Sequence, residues 1–339
     1  MDLADLLRRG LAVVLQEQLT TGEIPSYRPA ARGQLEYCRS PFISTFVHDA
    51  LGHFDRQSPL MGAQMLELIP MNSRGWFNSA VIEIRRRIRA FIQWQEESEG
   101  TWRFFGRGSG IDPDSDTTAC SSAVLLESPA FNTKKRWQHH VRALKRFRSE
   151  QGIYFSYINR ERYGYSWMDE AGNPILGFDR VVNTNILRYL ALVGAEVDQL
   201  IAYTKREVAA QDFHTGSPDY PNPLCFFYMV ARAWREAHLP GLEQIAASLI
   251  EPILNLQKEA GDFGGPLSTA LALSALLDLG YTGSAVERAR LSIIRGARPS
   301  GGWGYEGFFI NGFGSVSLTT AMSMMVLARS SEVGEECNS

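Results

Sequence analysis

The chain has 339 residues, 45% of them hydrophobic and 21% charged, with a formal net charge of −3. That balance excludes disordered, collagenous and coiled-coil chains, and it offers no global basic field for nucleic acid. Four cysteines, Cys38, Cys120, Cys225 and Cys337, stand far apart without a CxxC pair, so they read as reduced thiols rather than a disulfide or zinc frame.

The chain begins Met1-Asp2-Leu3-Ala4-Asp5 and continues as an amphipathic stretch, without the basic and apolar regions of a secretory leader. No run reaches the roughly 18 apolar residues that span a bilayer. A cytoplasmic location is expected, with contact to a membrane surface left open. Helical periodicity then dominates. A buried helix is expected over residues 41–51, an amphipathic one over 79–95, and a second buried helix over 114–127. Amphipathic helices over 134–148, 197–210 and 243–257 alternate with buried ones over 181–193, 223–234, 266–279 and 315–327. Each buried helix starts at a Pro, Ser, Asp or Asn cluster suited to capping, and is apolar nearly all round. The basic runs Arg85-Arg86-Arg87-Ile88-Arg89 and Lys134-Lys135-Arg136 read as solvated outer faces, with an anionic head-group site as the other reading.

Internal similarity supports the alternation. Gly100-Thr101-Trp102 precedes Thr117-Thr118-Ala119 at nearly the interval by which Gly301-Gly302-Trp303 precedes Thr319-Thr320-Ala321. Weaker echoes occur at Ser44-Thr45 and Ser268-Thr269-Ala270. Repeated helix pairs suggest a closed ring or a solenoid. Six buried helices inside six amphipathic ones give an all-α (α/α)6 barrel, one domain over residues 1–330 with a polar tail at 331–339.

The most distinctive stretch is Gly110-Ile111-Asp112-Pro113-Asp114-Ser115-Asp116-Thr117-Thr118-Ala119, which runs into a buried helix. A calcium loop numbered from Asp112 would place Thr117 at the glycine position and Ala123 at the bidentate glutamate, so it is rejected. The plain reading is helix capping by Asp114 or Ser115. The chemical reading is a buried carboxyl beside other carboxyls, held protonated at neutral pH as a general acid needs.

Asp114-Ser115-Asp116-Thr117-Thr118-Ala119 resembles the DxDD or DxDTT motif of class II terpene cyclases. The helical ring and the Gly-Trp and Thr-Thr-Ala repeats extend the resemblance over most of the chain. It implies that Asp116 is the proton donor and Asp114 its partner, with Thr117 standing where the family's last Asp does. The length fits the single-domain members, and the implied substrate is a linear polyprenyl chain on a dihydroxybenzoate, closed by a carbocation cascade without a cofactor or metal. Asn183 or Asn185, opening the next buried helix, would hydrogen-bond the acid, with Asn183 slightly favoured. Trp102, Tyr157, Trp167, Phe227, Trp303 and Phe309 are the aromatic lining expected to stabilise cations.

Two other readings stay open. A diphosphate substrate of the drimenyl or copalyl type would need magnesium and basic residues such as Arg103 and Arg107. A non-catalytic isoprenoid-binding toroid would have no use for a protonated Asp116.

Overall fold

The computed structural model describes residues 2–55, 68–157 and 178–336. Outer and inner helices alternate along the chain. They begin α1 (Leu3–Glu17), α2 (Pro41–Gly52), α3 (Met71–Gln95), α4 (Ser115–Leu125), α5 (Lys134–Lys145), α6 (Arg180–Leu192) and α7 (Asp198–Ala209). They continue as α8 (Pro223–Ala237), the short α9 (Glu243–Ala246) and α10 (Ile250–Asn255), α11 (Pro266–Asp278), α12 (Ser284–Arg295) and α13 (Val316–Glu336). Every residue of α2 and of α4 is buried, whereas α5 buries only His140, Ala143 and Leu144. This is the difference between a helix enclosed on all sides and one that covers it from outside.

The inner helices α2, α4, α6, α8, α11 and α13 each pack on the next, and α13 packs back on α2, which closes the ring. The outer helices lie against them: α1 on α13, α3 on α2, α5 on α4, α7 on α6, α12 on α11. The result is the expected (α/α)6 barrel.

All six inner helices point the same way, and their N-termini share one end of the barrel. Local chemistry fixes them there. Ser40, Asp114, Asp179 and Asn222 accept main-chain N–H bonds at the starts of α2, α4, α6 and α8. Ser315 does so for Ser317 at the start of α13. Gly265 has no side chain to cap α11, and the carboxylate of Glu306 reaches across to accept from Leu267 N (2.8 Å) and Ser268 N (3.1 Å). A Cβ at Gly265 would sit 2.4 Å from that carboxylate, so the borrowed cap requires glycine.

Several details depart from the expected elements. A small antiparallel sheet, in order β2-β1-β4-β3, covers the N-terminal end of the ring. It is built from β1 (Ser26–Pro29), β2 (Leu35–Cys38), β3 (Gly307–Phe309) and β4 (Phe313–Gly314). Tyr27 pairs with Tyr37 and with Gly314, tying the loop before α2 to the loop before α13. The helix expected over 243–257 is broken into α9, a 3-10 turn and α10, because Pro252 has no N–H to give and its ring crowds the preceding turn. α3 starts earlier than expected, at Met71, and α13 continues to Glu336 through most of the stretch expected as a tail. Arg85, expected on a solvated face, is buried in ion pairs with Asp55 and Glu127. Among the described residues, Cys38, Cys120 and Cys225 are free thiols, and no helix is long and apolar enough to cross a membrane.

Candidate active site

The lead-ins to the inner helices share one bond. Trp102 N donates to Thr118 Oγ1 (3.1 Å), and Trp303 N donates to Thr320 Oγ1 (3.1 Å). Phe263 N meets Thr269 Oγ1 (3.0 Å), Ile24 N meets Ser44 Oγ (3.0 Å), and Tyr154 N meets Asn183 Oδ1 (2.8 Å). In each case a polar side chain near the helix start receives the loop backbone. Two residues before that side chain, four of the five helices carry an apolar residue: Leu318, Leu267, Phe42 and Val181. α4 carries Asp116. The repeat therefore isolates one position where a buried apolar residue has given way to a carboxyl.

Around Asp116 the structure supplies specific partners. Its carboxyl is 4% exposed. Oδ1 accepts a bond from Asn185 Nδ2 (2.8 Å), and Oδ2 accepts a short one from the Tyr220 hydroxyl. The Cys120 thiol lies one turn further along α4, 3.9 Å from Oδ1. Burial pushes the Asp116 carboxyl up to about 7, with the Asp114 charge adding to the rise; the bonds from Tyr220 and Asn185 oppose it. The protonated form is thus well populated at neutral pH, and the two donors await the anion that proton loss would create.

Asp114 caps α4, accepting from Thr117 N at 2.6 Å, and burial raises its carboxyl to about 7 as well. Its backbone is clamped between loops, bridged to Trp102 on one side and Tyr157 on the other, while Ser115 N donates to Ser156 O (2.9 Å). Thr117 acts on Asp114 through its main-chain N–H, and its side chain is fully buried. Asp179 caps α6 and also accepts from Asp219 N (3.0 Å), while Asp219 accepts from Ser156 Oγ (3.2 Å). Burial pushes both of these carboxyls up, with the Asp116 charge adding to the rise at Asp179 and the Asp179 charge adding to it at Asp219.

Asn183, favoured from the sequence as the partner of the acid, is turned elsewhere. Its amide donates to the Tyr154 and Asp179 carbonyls (both 2.9 Å) and holds the loop, as Thr118 does in α4. The bond to Asp116 comes from Asn185. The signal was present, since Asn183 and Thr118 both stand four residues after their capping aspartates. Tyr220 carries no such local mark; it lies in the loop before α8 and reaches Asp116 across 104 positions of sequence.

The aromatic residues divide. Phe309 stacks on Phe104 (4.8 Å between ring centroids) and meets Tyr220 edge-on (5.0 Å). Phe42 and Phe308 complete this wall beside the acid, at 5.5 Å from Phe309 and 5.6 Å from Tyr220 respectively. Trp102 and Trp303 do not join it. Both are fully buried, with their indole N–H groups bonded to the carbonyls of Ile92 (2.8 Å) and Ile293 (2.7 Å) at the ends of outer helices. They wedge the two helical layers apart. Phe227 packs on Phe213 of the loop leaving α7, at 4.6 Å. Tyr157 is half-buried beside Asp114, and Trp167 lies outside the described residues.

Arg103, a candidate for a diphosphate, is tied to Glu97 and to the carbonyls of Ser109 and Ile111, so it braces its own loop. His48, Asp49 and Glu127 have ligand atoms within 4.8 Å of one another. Asp49 is bonded to Arg232 and Glu127 to Arg85, so guanidinium groups already occupy the place of a cation.

No protein-family model and no curated protein matches the sequence. Solved structures match over nearly the whole chain. The type II terpene cyclase MstE from Scytonema superposes with a TM-score of 0.69 at 14% identity, covering 98% of this chain and 99% of that one. The fold is the one MstE has, an (α/α)6 barrel. A MstE variant has been solved with geranylgeranyl dihydroxybenzoate, its substrate, and that structure too covers 98% of both chains at a TM-score of 0.69 and 14% identity. ent-Copalyl diphosphate synthase from Streptomyces platensis matches at 15% identity and a TM-score of 0.59, over 86% of this chain and 50% of that one. A possible member of the GH105 family from Salmonella enterica also matches, with a TM-score of 0.57 and 12% identity over 98% and 94% of the chains. The barrel by itself does not choose a reaction, so the side chains must.

Proposed function

We propose that this protein is a class II terpene cyclase in which Asp116 protonates the terminal alkene of a linear polyprenyl chain. The observation that carries the reading is the buried Asp116 carboxyl, held by Asn185 and Tyr220 beside an aromatic wall. The Asp116 O–H bond and the π bond of the terminal alkene break, and a C–H bond forms at its CH carbon, leaving a tertiary cation on the dimethyl carbon. Successive double bonds then donate their π electrons to close rings, the last cation loses one proton to water, and the Asp116 carboxylate regains a proton from solvent. The product is an isomer of the substrate.

Asn185 and Tyr220 strengthen the acid because their bonds grow as the carboxylate forms, which is stabilisation specific to the transition state. The faces of Phe309, Phe104 and Phe308 suit the moving positive charge, worth up to about 2 kcal/mol each when water is excluded. For the substrate we take a prenylated aromatic acid of the geranylgeranyl dihydroxybenzoate type. The near-complete overlap with MstE supports this choice. A prenyl diphosphate is the second reading, supported by the fold shared with the copalyl synthase, and magnesium would enter only there.

The test is incubation of the protein and its Asp116→Asn variant with geranylgeranyl dihydroxybenzoate and with geranylgeranyl diphosphate, each with and without EDTA. A cyclic isomer from the benzoate, indifferent to EDTA and absent in the variant, is the expected result. Cyclisation of the diphosphate alone, lost with EDTA, would move the assignment to the second reading. Binding without turnover in both forms would make the protein an isoprenoid carrier.

A further inference from the structure

The lumen of the barrel changes character along its axis. On α2, Phe42, Phe46 and Asp49 form one stripe at helical spacing. On α4 the stripe runs Asp116, Cys120, Ala123; on α6 it runs Asn185, Arg188, Leu192; on α8 it runs Tyr228, Arg232, Glu236. Each passes from the end bearing the acid to a charged or apolar layer below.

Asp49 and Arg232 are bonded directly, although α2 and α8 stand opposite each other in the ring. A contact between opposite inner helices crosses the lumen. Arg188 supports it from α6, 3.6 Å from Asp49 and 2.5 Å from Glu236, and Glu236 also accepts from Arg232 Nε at 2.8 Å. Two guanidinium groups and two carboxylates pair off, all nearly or fully buried. Burial alone would push the Asp49 carboxyl up, but Arg232 and Arg188 outweigh it and keep the group ionised. On the far side, Arg188 and Glu236 face a separate pocket of about 310 Å³ that opens at the C-terminal ends of α4 and α6.

We infer that the Asp49–Arg232 bridge, held by Arg188 and Glu236, is the floor of the reaction chamber and sets the length of chain the site accepts. This rests on the cyclase reading above and adds a limit to it. Asn185, which holds the acid, is less than one helical turn from Arg188, roughly 5 Å of rise, and Phe42 is about 10 Å of rise from Asp49. The bridge therefore bounds the space beneath Asp116 within about 10 Å. A chain whose terminal alkene meets Asp116 can run toward the bridge no further than that, which limits how many isoprene units are buried on this side.

The experiment uses the full-length Asp116→Asn protein, expected to hold ligand without turnover, with and without the added pair Asp49→Leu and Arg232→Leu. Removing both charges together avoids an unpaired buried ion, and Arg188 keeps Glu236 as a partner. Affinities for geraniol, farnesol and geranylgeraniol are measured by calorimetry, with thermal melts to confirm folding. Each buried methylene adds about fourfold to affinity, so one buried isoprene unit adds well over tenfold.

With the floor intact, that rise stops at one of the two steps in length; with the floor removed, it continues one step further. A rise that continues through geranylgeraniol with the floor intact overturns the inference. So does a break that stays in place in the folded variant. If none of the three alcohols binds, the isoprenoid reading itself fails. A break that moves as expected, in a protein that cyclises nothing, keeps the floor and removes only the chemistry.

Discussion

The lead-ins to α4 and α13 are built alike and serve different ends. In both, a tryptophan indole is fastened to the end of an outer helix while its main-chain N–H is received by a threonine of the inner helix. In α13 the residue two before that threonine is Leu318, and the helix start is a piece of apolar wall. In α4 it is Asp116, and donors from α6 and from a distant loop have gathered around it. The frame supplies a buried position, and under the proposed function the chemistry enters through one side chain and its two donors.

The largest test of this comparison is to give α4 the α13 solution. Asp116→Leu should abolish turnover, a loss beyond about 10³-fold for removal of a general acid. It should also change the pH dependence of stability. The folded protein holds the Asp116 proton more tightly than the unfolded chain, so this contribution is complete below about pH 4 and is lost as pH rises through about 7. Urea unfolding should therefore show Asp116→Leu gaining about 3 kcal/mol more relative to the parent at pH 8 than at pH 5. Equal gains at both pH values would mean that Asp116 folds ionised.

Next come the wedges. Trp102→Ala and Trp303→Ala should cost similar stability, about 3–5 kcal/mol each, read from denaturant midpoints. A cost for one and not the other would show that the two frames are not equivalent. Smaller effects follow from the threonines: Thr118→Val and Thr320→Val each leave a buried N–H unmet, for about 1–3 kcal/mol. Of these two, only Thr118→Val should slow the folded enzyme, by about tenfold, because it alone shifts the acid. The finest test is Asn185→Leu. Losing a donor to the carboxylate raises the acid's pKa, so the descending limb of the pH–rate profile should move up by about one pH unit while the plateau falls. An unmoved limb would leave Tyr220 as the donor that matters.

How much of this could be read from the sequence depended on how local the signal was. The inner helices announce themselves because caps and all-round apolar character occur within a few residues, as at Asp114 and Asp179. The sheet does not, since its strands are two to four residues long, too short for alternation to show, and the pairing of Gly314 with Tyr27 joins segments far apart along the chain. The burial of Asp116 at the start of α4 was legible from its motif. Its donor was half legible: Asn183 and Asn185 lie about 200° apart around one helix, and the rotation that chooses between them is set by packing. Trp102 and Trp303 mark the repeat, but sequence does not say whether a buried ring faces the lumen or the outer layer.

The ring also has a seam. Neighbouring inner helices are mostly neighbours in sequence, but α13 must return to α1 and α2, and β4 to β1, from nearly 300 positions away. Bringing such distant segments together is the slow part of folding for a chain whose other contacts are local. The acid and Asn185 sit on α4 and α6, within the early, local part. Phe42 lies on one lip of the seam and Phe308 and Phe309 on the other. A chain that has not yet shut this seam can already pair Asp116 with Asn185 but lacks Phe42 against Phe308 and Phe309, so hydrogen exchange that opens the α2–α13 edge first would part this aromatic contact while leaving the Asp116–Asn185 pair in place.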